Sequence, residues 1–342
     1  MTISGDSYFA TEASLTGFRP PEVPLGVPTA ADLAEYDRIS RCWTSTHAGE
    51  WRIGSEIHKR EVCRMFRETF NPYRPAVIDW PELSPEELNR LTSLPIWDIA
   101  VQTEGKARLN FAAYANALPD REVGEAIMLN AWEENRHKAV LSNLVKTYRI
   151  PLAEEPAYEP PRNLEWAYLV TGYSECVDSF FAFGLFEVAR RSGFFPMKLV
   201  ETFEPVIQEE CRHILLFANW LAWHRASLKW WRRIRFELRV VAVWTFISWE
   251  RIGLARGLGK ERDPSHHDSN FTLTSANAVS QVELHFLELM ALCLRENDRR
   301  FVGYDIRLVR PTTIPTMIRF TLALSRLWPR KSRRRQVSGA QP

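Results

Sequence analysis

Apolar residues recur at intervals of three and four along most of this chain, the spacing that gathers side chains on one face of an α-helix. Four such stretches are long. They cover roughly 96–117 (Trp97, Ala100, Ala107, Phe111, Tyr114), 122–147 (Val123, Ile127, Leu141, Leu144), 164–191 (Leu164, Tyr168, Ala182, Leu185) and 197–224 (Leu199, Phe203, Phe217, Trp220). In each one a carboxylate interrupts the middle of the apolar face: Glu104, Glu134, Glu175 and Glu210. An imidazole follows one turn later in two of them, at His137 and His213. The same word, Glu-Glu-x-Arg-His, is written over 133–137 and again over 209–213.

The flanks read as helical too. Residues 30–70 carry a helical pattern, Ser84 and Pro85 are placed to start a short helix, and further helices are expected over about 275–297 and 314–328. Alternating β-branched runs are scarce, and Asn-Gly and Asp-Gly hairpin words are missing. The pattern predicts an all-α protein. It divides into an extended or disordered arm (1–28), an N-terminal helical extension (29–95), a four-helix core (96–224), a C-terminal helical extension packed on the core (225–328) and a basic disordered tail (329–342).

Chain geometry sets the heights of the four glutamates. The first two core stretches are joined by the short turn Ala-Leu-Pro-Asp-Arg, so they should be antiparallel neighbours. Glu104 lies 15 residues before Pro119 and Glu134 lies 15 after it. The other hairpin turns near Gly193, with Glu175 18 residues before and Glu210 17 after. All four carboxylates should therefore reach one layer in mid-bundle. Between the hairpins, residues 148–163 contain four prolines. Extended, they would cross about 50 Å, enough to run the length of a bundle as one long crossover.

A lone buried carboxylate costs several kcal/mol, so four facing one another require cations. Glu-x-x-His on a helix aims both side chains at one point, and two such words with a further glutamate from each of two helices form the ligand set of a dimetal carboxylate bundle. Glu104, Glu134, His137, Glu175, Glu210 and His213 are the candidate ligands. Four carboxylates, two neutral imidazoles and two divalent ions sum to zero charge. Hard oxygen donors with imidazoles suit iron or manganese. Glu209 and Glu133, one step round the helix, are candidates to accept from the second N–H of His137 and His213 across the bundle, with Arg136 and Arg212 neutralising them. Asp178, one turn after Glu175, is a candidate proton relay, extra ligand or edge-of-stripe polar residue.

Composition narrows the remaining classes. A formal net charge of +2 speaks against nucleic acid as partner. Five widely spaced cysteines form neither a disulfide framework nor a metal knuckle, which suits a reducing compartment. The start lacks a signal-peptide pattern, so a cytoplasmic protein is expected. Six of the 13 tryptophans fall over 220–249, interleaved with arginine, either as core or as the wall of an apolar pocket. The basic amphipathic segment 312–342 suits a docking helix with a loose tail, and it is also basic and amphipathic enough to lie at a membrane surface. Cys176 and Cys211 read as packing residues, and His47, His58, His224, His266, His267 and His285 receive no role.

Over residues 96–224 the chain resembles the ferritin-like non-haem diiron superfamily, on the pattern Glu104, Glu134-x-x-His137, Glu175 and Glu210-x-x-His213. The resemblance implies two iron ions, or manganese with iron, in a ferritin-like four-helix bundle with one long crossover. Glu134 and Glu210 would bridge; Glu104 with His137 would complete one ion, and Glu175 with His213 the other. It also implies dioxygen, a small-molecule substrate, an electron donor such as a ferredoxin, and a homodimer. The stretch Glu-Glu-Asn-Arg-His is similar to the first motif of soluble acyl-carrier-protein desaturases. Their second motif begins with aspartate where this chain has Glu209, and they carry threonine where this chain has Asp178. The arylamine N-oxygenases are similar in length but add a histidine where Val206 stands. An oxygen-activating oxidoreductase acting by hydroxylation, desaturation or N-oxidation is the leading expectation; a ferroxidase without organic substrate is the alternative.

Overall fold

A computed structural model describes residues 28–72, 78–94, 96–154, 158–257 and 286–327. Those residues are all-α, and no strand forms among them; Trp43 and Tyr304 make an isolated bridge. The arm over 1–27 and the tail over 328–342 lie outside the described residues, as does the start of the helix expected from 275.

The N-terminal extension holds α1 (Ala30–Arg41), α2 (Glu56–Glu68) and α3 (Pro85–Thr92). The helical pattern expected over 30–70 is thus two helices, parted where Gly49 and Gly54 take positive φ angles of 91° and 84°. Ser84 caps α3 in a capping box with Glu87, ahead of Pro85, as the sequence predicts.

The core comprises α4 (Trp97–Ala117), α5 (Arg121–Thr147), α6 (Leu164–Ser192), the short α7 (Met197–Thr202) and α8 (Glu204–Ser227). Asp120 and Asn163 cap α5 and α6, and Gly193 closes α6 in the left-handed conformation at φ 63°. The stretch expected as one helix over 197–224 is broken at Phe203. Pro205 is the cause: it has no N–H to give the preceding turn, so it sits in the first turn of a new helix.

Contacts fix the directions. Asn110 bonds Thr171 and Tyr114 stacks on Tyr168, so α4 and α6 run antiparallel. Tyr168 meets Trp220 while Ser179 meets Glu210, so α6 and α8 are antiparallel too. Glu133 meets Arg212 while Arg136 meets Glu209, which sets α5 against α8 in the same sense. The connection after α5 must then travel the length of the core before α6 begins. Its course follows α4, where Ala153 donates to Asp98 and Tyr158 bonds the Gln102 carbonyl.

Above the glutamate layer the core is filled by aromatic rings. Tyr168 stacks 4.3 Å from Tyr114 and meets Trp220 edge-on at 4.6 Å. Outside this core lie α9 (Trp230–Gly257), α10 (Phe286–Phe301) and α11 (Thr313–Leu327). Gly184 of α6 lets α10 approach, since a β-carbon there would overlap Cys293. No helix among the described residues is long and apolar enough to cross a membrane.

Candidate metal centre

The glutamate layer is where the four core helices bring their interrupted stripes together. Glu134 and His137 on α5 converge with Glu210 and His213 on α8, one ligand atom from each lying within 4.8 Å of the others. His137 Nδ1 is 3.2 Å from Glu210 and 3.9 Å from Glu134. His213 Nδ1 is 2.7 Å from Glu134 and 4.0 Å from Glu210. Each of these two glutamates therefore faces both imidazoles.

Glu104 and Glu175 are not part of that tight group. Glu104, on α4, comes within 3.8 Å of His137 Nδ1. Glu175, on α6, lines the same cavity, and both of its carboxylate oxygens are buried without a hydrogen-bond partner. Glu134 Oε1 and the Nδ1 atoms of His137 and His213 are orphaned in the same way. The short His213–Glu134 approach is not directed as a hydrogen bond, so it does not satisfy either atom. Buried polar atoms that converge without pairing suit a cation ligand set.

The outer acids stand as the sequence suggests. His137 Nε2 donates to Glu209 at 2.8 Å, and His213 Nε2 donates to Glu133 at 2.9 Å. Arg212 donates to Glu133 at 2.6 Å, and Arg136 donates to Glu209. Because these acids only accept, a proton stays on each Nε2, so an imidazole that takes a cation would offer it the inward-facing Nδ1. The arginines are anchored in turn by the N-terminal extension. Arg212 donates to the Phe66 carbonyl at 2.7 Å and to Thr69 Oγ1 at 2.8 Å, and Arg136 donates to the Asn71 carbonyl.

Charge accounting then separates into two shells. Glu133 and Glu209 are balanced by Arg136 and Arg212. Among the described residues no lysine or arginine pairs with Glu104, Glu134, Glu175 or Glu210. Without cations this inner layer must hold protons. Burial, then the neighbouring Glu134 charge, pushes both Glu104 and Glu175 well above the usual carboxylate range. Burial alone would also raise Glu134, yet His213 beside it pulls it down to about 2. Burial would lower His213, but Glu134 and Glu133 lift it to about 9. His137 is raised well above its ordinary value against burial, chiefly by Glu209 and Glu210.

Sequence reasoning missed two neighbours. Ser179 donates to Glu210 at 3.0 Å; its place four residues after Glu175 puts it on the same face, a signal that was available. Asp178 lies at the cavity wall, with Arg251 Nη2 of α9 2.7 Å from both its oxygens. Nothing in the local pattern names Arg251 as its partner.

From the glutamates an apolar cavity of about 370 Å³ extends toward α3 and α7, lined by Trp97, Ala182, Leu185, Leu199, Phe203 and Val206 among others. None of the tryptophans over 220–249 reaches it. Trp220 and Trp244 pack in the core cluster, and Trp230, Trp231 and Trp249 are exposed. Of the histidines left without a role, His58 is a core residue that accepts from Gly54 N–H and bonds Asn219 at 2.8 Å. His224 stacks on Trp220.

No protein-family model, curated protein or solved structure matches the chain.

Proposed function

We propose that this protein is a ferritin-like non-haem dimetal oxidoreductase that uses dioxygen to oxidise a largely apolar organic substrate by hydroxylation, desaturation or N-oxidation. One observation carries the reading: a buried, cation-deficient Glu/His layer opens directly into an apolar cavity. A volume of about 370 Å³ lies within the range of small-molecule pockets, and iron handling alone needs no such chamber.

Glu134 and Glu210, each facing both imidazoles, would hold the ions together with His137 and His213, and Glu104 and Glu175 would complete the set. Two bound iron ions, or manganese with iron, would supply the redox equivalents and Lewis acidity for dioxygen activation. The remaining work falls to side chains. Glu133 and Glu209 fix the tautomers of His213 and His137, and Ser179 holds the rotamer of Glu210. The aromatic stack above the layer keeps water from one side, leaving the cavity as the approach for substrate. Asp178 carries its negative charge against Arg251, so acting as a relay requires it to exchange that partner. Electrons would come from a donor such as a ferredoxin, in the cytoplasm.

The test is metal analysis of the purified chain, then oxygen uptake with a reductant and a panel of apolar candidates. Two metal ions per chain, with uptake exceeding the loaded iron only when a substrate is present, is the expected result. Uptake that stops at the loaded iron for every candidate would make the protein a ferroxidase instead.

A further inference from the structure

Helix α9 is apolar on two faces. Phe236, Val240, Val243 and Ile247 are buried against the core. A second stripe, on a different side, stays exposed: Trp230 (72%), Ile234, Leu238 (66%), Val241 (62%), Trp249 (74%) and Ile252. At 100° per residue these six project within an arc about 100° wide, and from 230 to 252 they run for about 33 Å. A surface helix normally turns a polar face outward, so this stripe calls for a second cover.

Charge says what kind. Residues 229–239 hold Lys229, Arg232, Arg233, Arg235 and Arg239 against the single acid Glu237. Glu237 is engaged by Arg225 at 3.0 Å, and Arg239 by Glu165. Arg232 and Arg235 have no acidic partner among the described residues, and both are exposed. A second copy of this chain would bring the same cations rather than the anions they lack. Tryptophans at both ends of an apolar stripe, with arginines beside it, match the chemistry of a headgroup boundary.

We propose that α9 lies flat on an anionic bilayer, its stripe in the boundary between headgroups and acyl chains and the flanking Arg233 and Arg235 on lipid phosphates. This differs from the terminal segment 312–342 that the sequence suggests for such a contact. Helix α9 also contributes Phe246 and Glu250 to the cavity wall, so docking sets that wall beside the lipid. The inference stands independently of any metal.

Flotation of the full chain with vesicles tests it, comparing phosphatidylcholine alone with phosphatidylcholine containing phosphatidylglycerol. The chain should float with the anionic vesicles, less so as salt rises, and stay behind with the neutral ones. Leu238→Glu with Val241→Glu should lower the bound fraction about tenfold or more. Arg233→Glu with Arg235→Glu should act in the same direction. All four positions are exposed, so the thermal midpoints should match the parent; if the first pair melts early, Leu238→Ser with Val241→Ser replaces it. Failure of the parent chain to float overturns the proposal. So does flotation that survives both pairs of substitutions, which would assign the contact to another segment. A concentration-dependent dimer in solution that Leu238→Glu with Val241→Glu dissociates would also overturn it, making the stripe a contact between copies.

Discussion

Glu133 and Glu209 each serve two cationic neighbours, a ring N–H and a guanidinium, and this double duty makes them sensitive positions. Glu133→Gln keeps an acceptor for His213 but leaves Arg212 without an anion in a fully buried site. Loss of such an orienting acceptor lowers metal affinity about 10–100-fold, and breaking a buried charge pair costs about 3–5 kcal/mol. Competition titration against a chelator of known affinity, with thermal melts in parallel, should show both effects. Glu209→Gln should behave alike through His137 and Arg136. The protons held by the metal-free layer give a second prediction, whose sign follows from His213. Its folded value of about 9 lies above the ordinary 6.5, so the folded state binds more protons than the unfolded one. That stabilisation is complete below about pH 6.5 and gone above about 9. Glu104 and Glu175, also raised, act in the same direction. The thermal midpoint of chelated protein should fall as pH rises from 6.5 to 9, whereas metal affinity should rise over the same window as protons leave Nδ1. A flat midpoint across that window would contradict the protonated layer. These residues were legible in the sequence because the helical period alone puts Glu134 with His137 and Glu210 with His213. The pairing of Asp178 was not, because its partner Arg251 lies 73 residues further along the chain.

At the scale of elements, equal distances from Pro119 and near-equal distances from Gly193 sufficed to place four carboxylates in one layer. Both hairpins are local, so counting residues works. Counting fails where a fold depends on distant contacts. The break at Phe203 had a local sign in Pro205, but the separate packing of α7 beside α3 did not. The docking of α10 on α6 rests on Gly184, which in the sequence is only a glycine inside a helical run. Helix propensity predicts that Gly184→Ala stabilises α6 by up to about 1 kcal/mol. The structure predicts the opposite, because a β-carbon would collide with the Cys293 thiol and crowd its backbone. Overpacking of this kind costs about 1–3 kcal/mol, so the midpoint should drop while metal content stays unchanged. Chemical denaturation of the single variant measures it, and a gain in stability would mean that α10 is not held so closely.

At the scale of the whole molecule, the N-terminal extension and the buried Glu/His layer are one mechanical unit. Arg212 bonds Phe66 and Thr69 on one side and Glu133 on the other, and Glu133 holds His213. Arg136 links Asn71 to Glu209 and so to His137. A cation bound between the imidazoles would therefore reinforce helices that contribute no ligand. The extension is more than a lid over the core: it supplies acceptors that keep two buried guanidinium groups in place, and these hold Glu133 and Glu209 against the two imidazoles. Binding that favours the folded state adds RT ln(1 + [L]/Kd), about 2.7 kcal/mol at a hundredfold excess over Kd. Removing metal should then lower the midpoint of the entire chain, with far-ultraviolet dichroism and tryptophan emission reporting the same shift. Trp43 and Trp51, buried in the N-terminal extension, and Trp220 in the core should lose their emission together. Thr69→Val tests the linkage from the outside, since it takes one acceptor from Arg212 without touching a candidate ligand. It should reduce the stabilisation gained on adding metal. Should that gain remain whole, or the two spectroscopic signals part company on chelation, the extension and the centre would be separate units and the path through Arg212 would carry no energy between them.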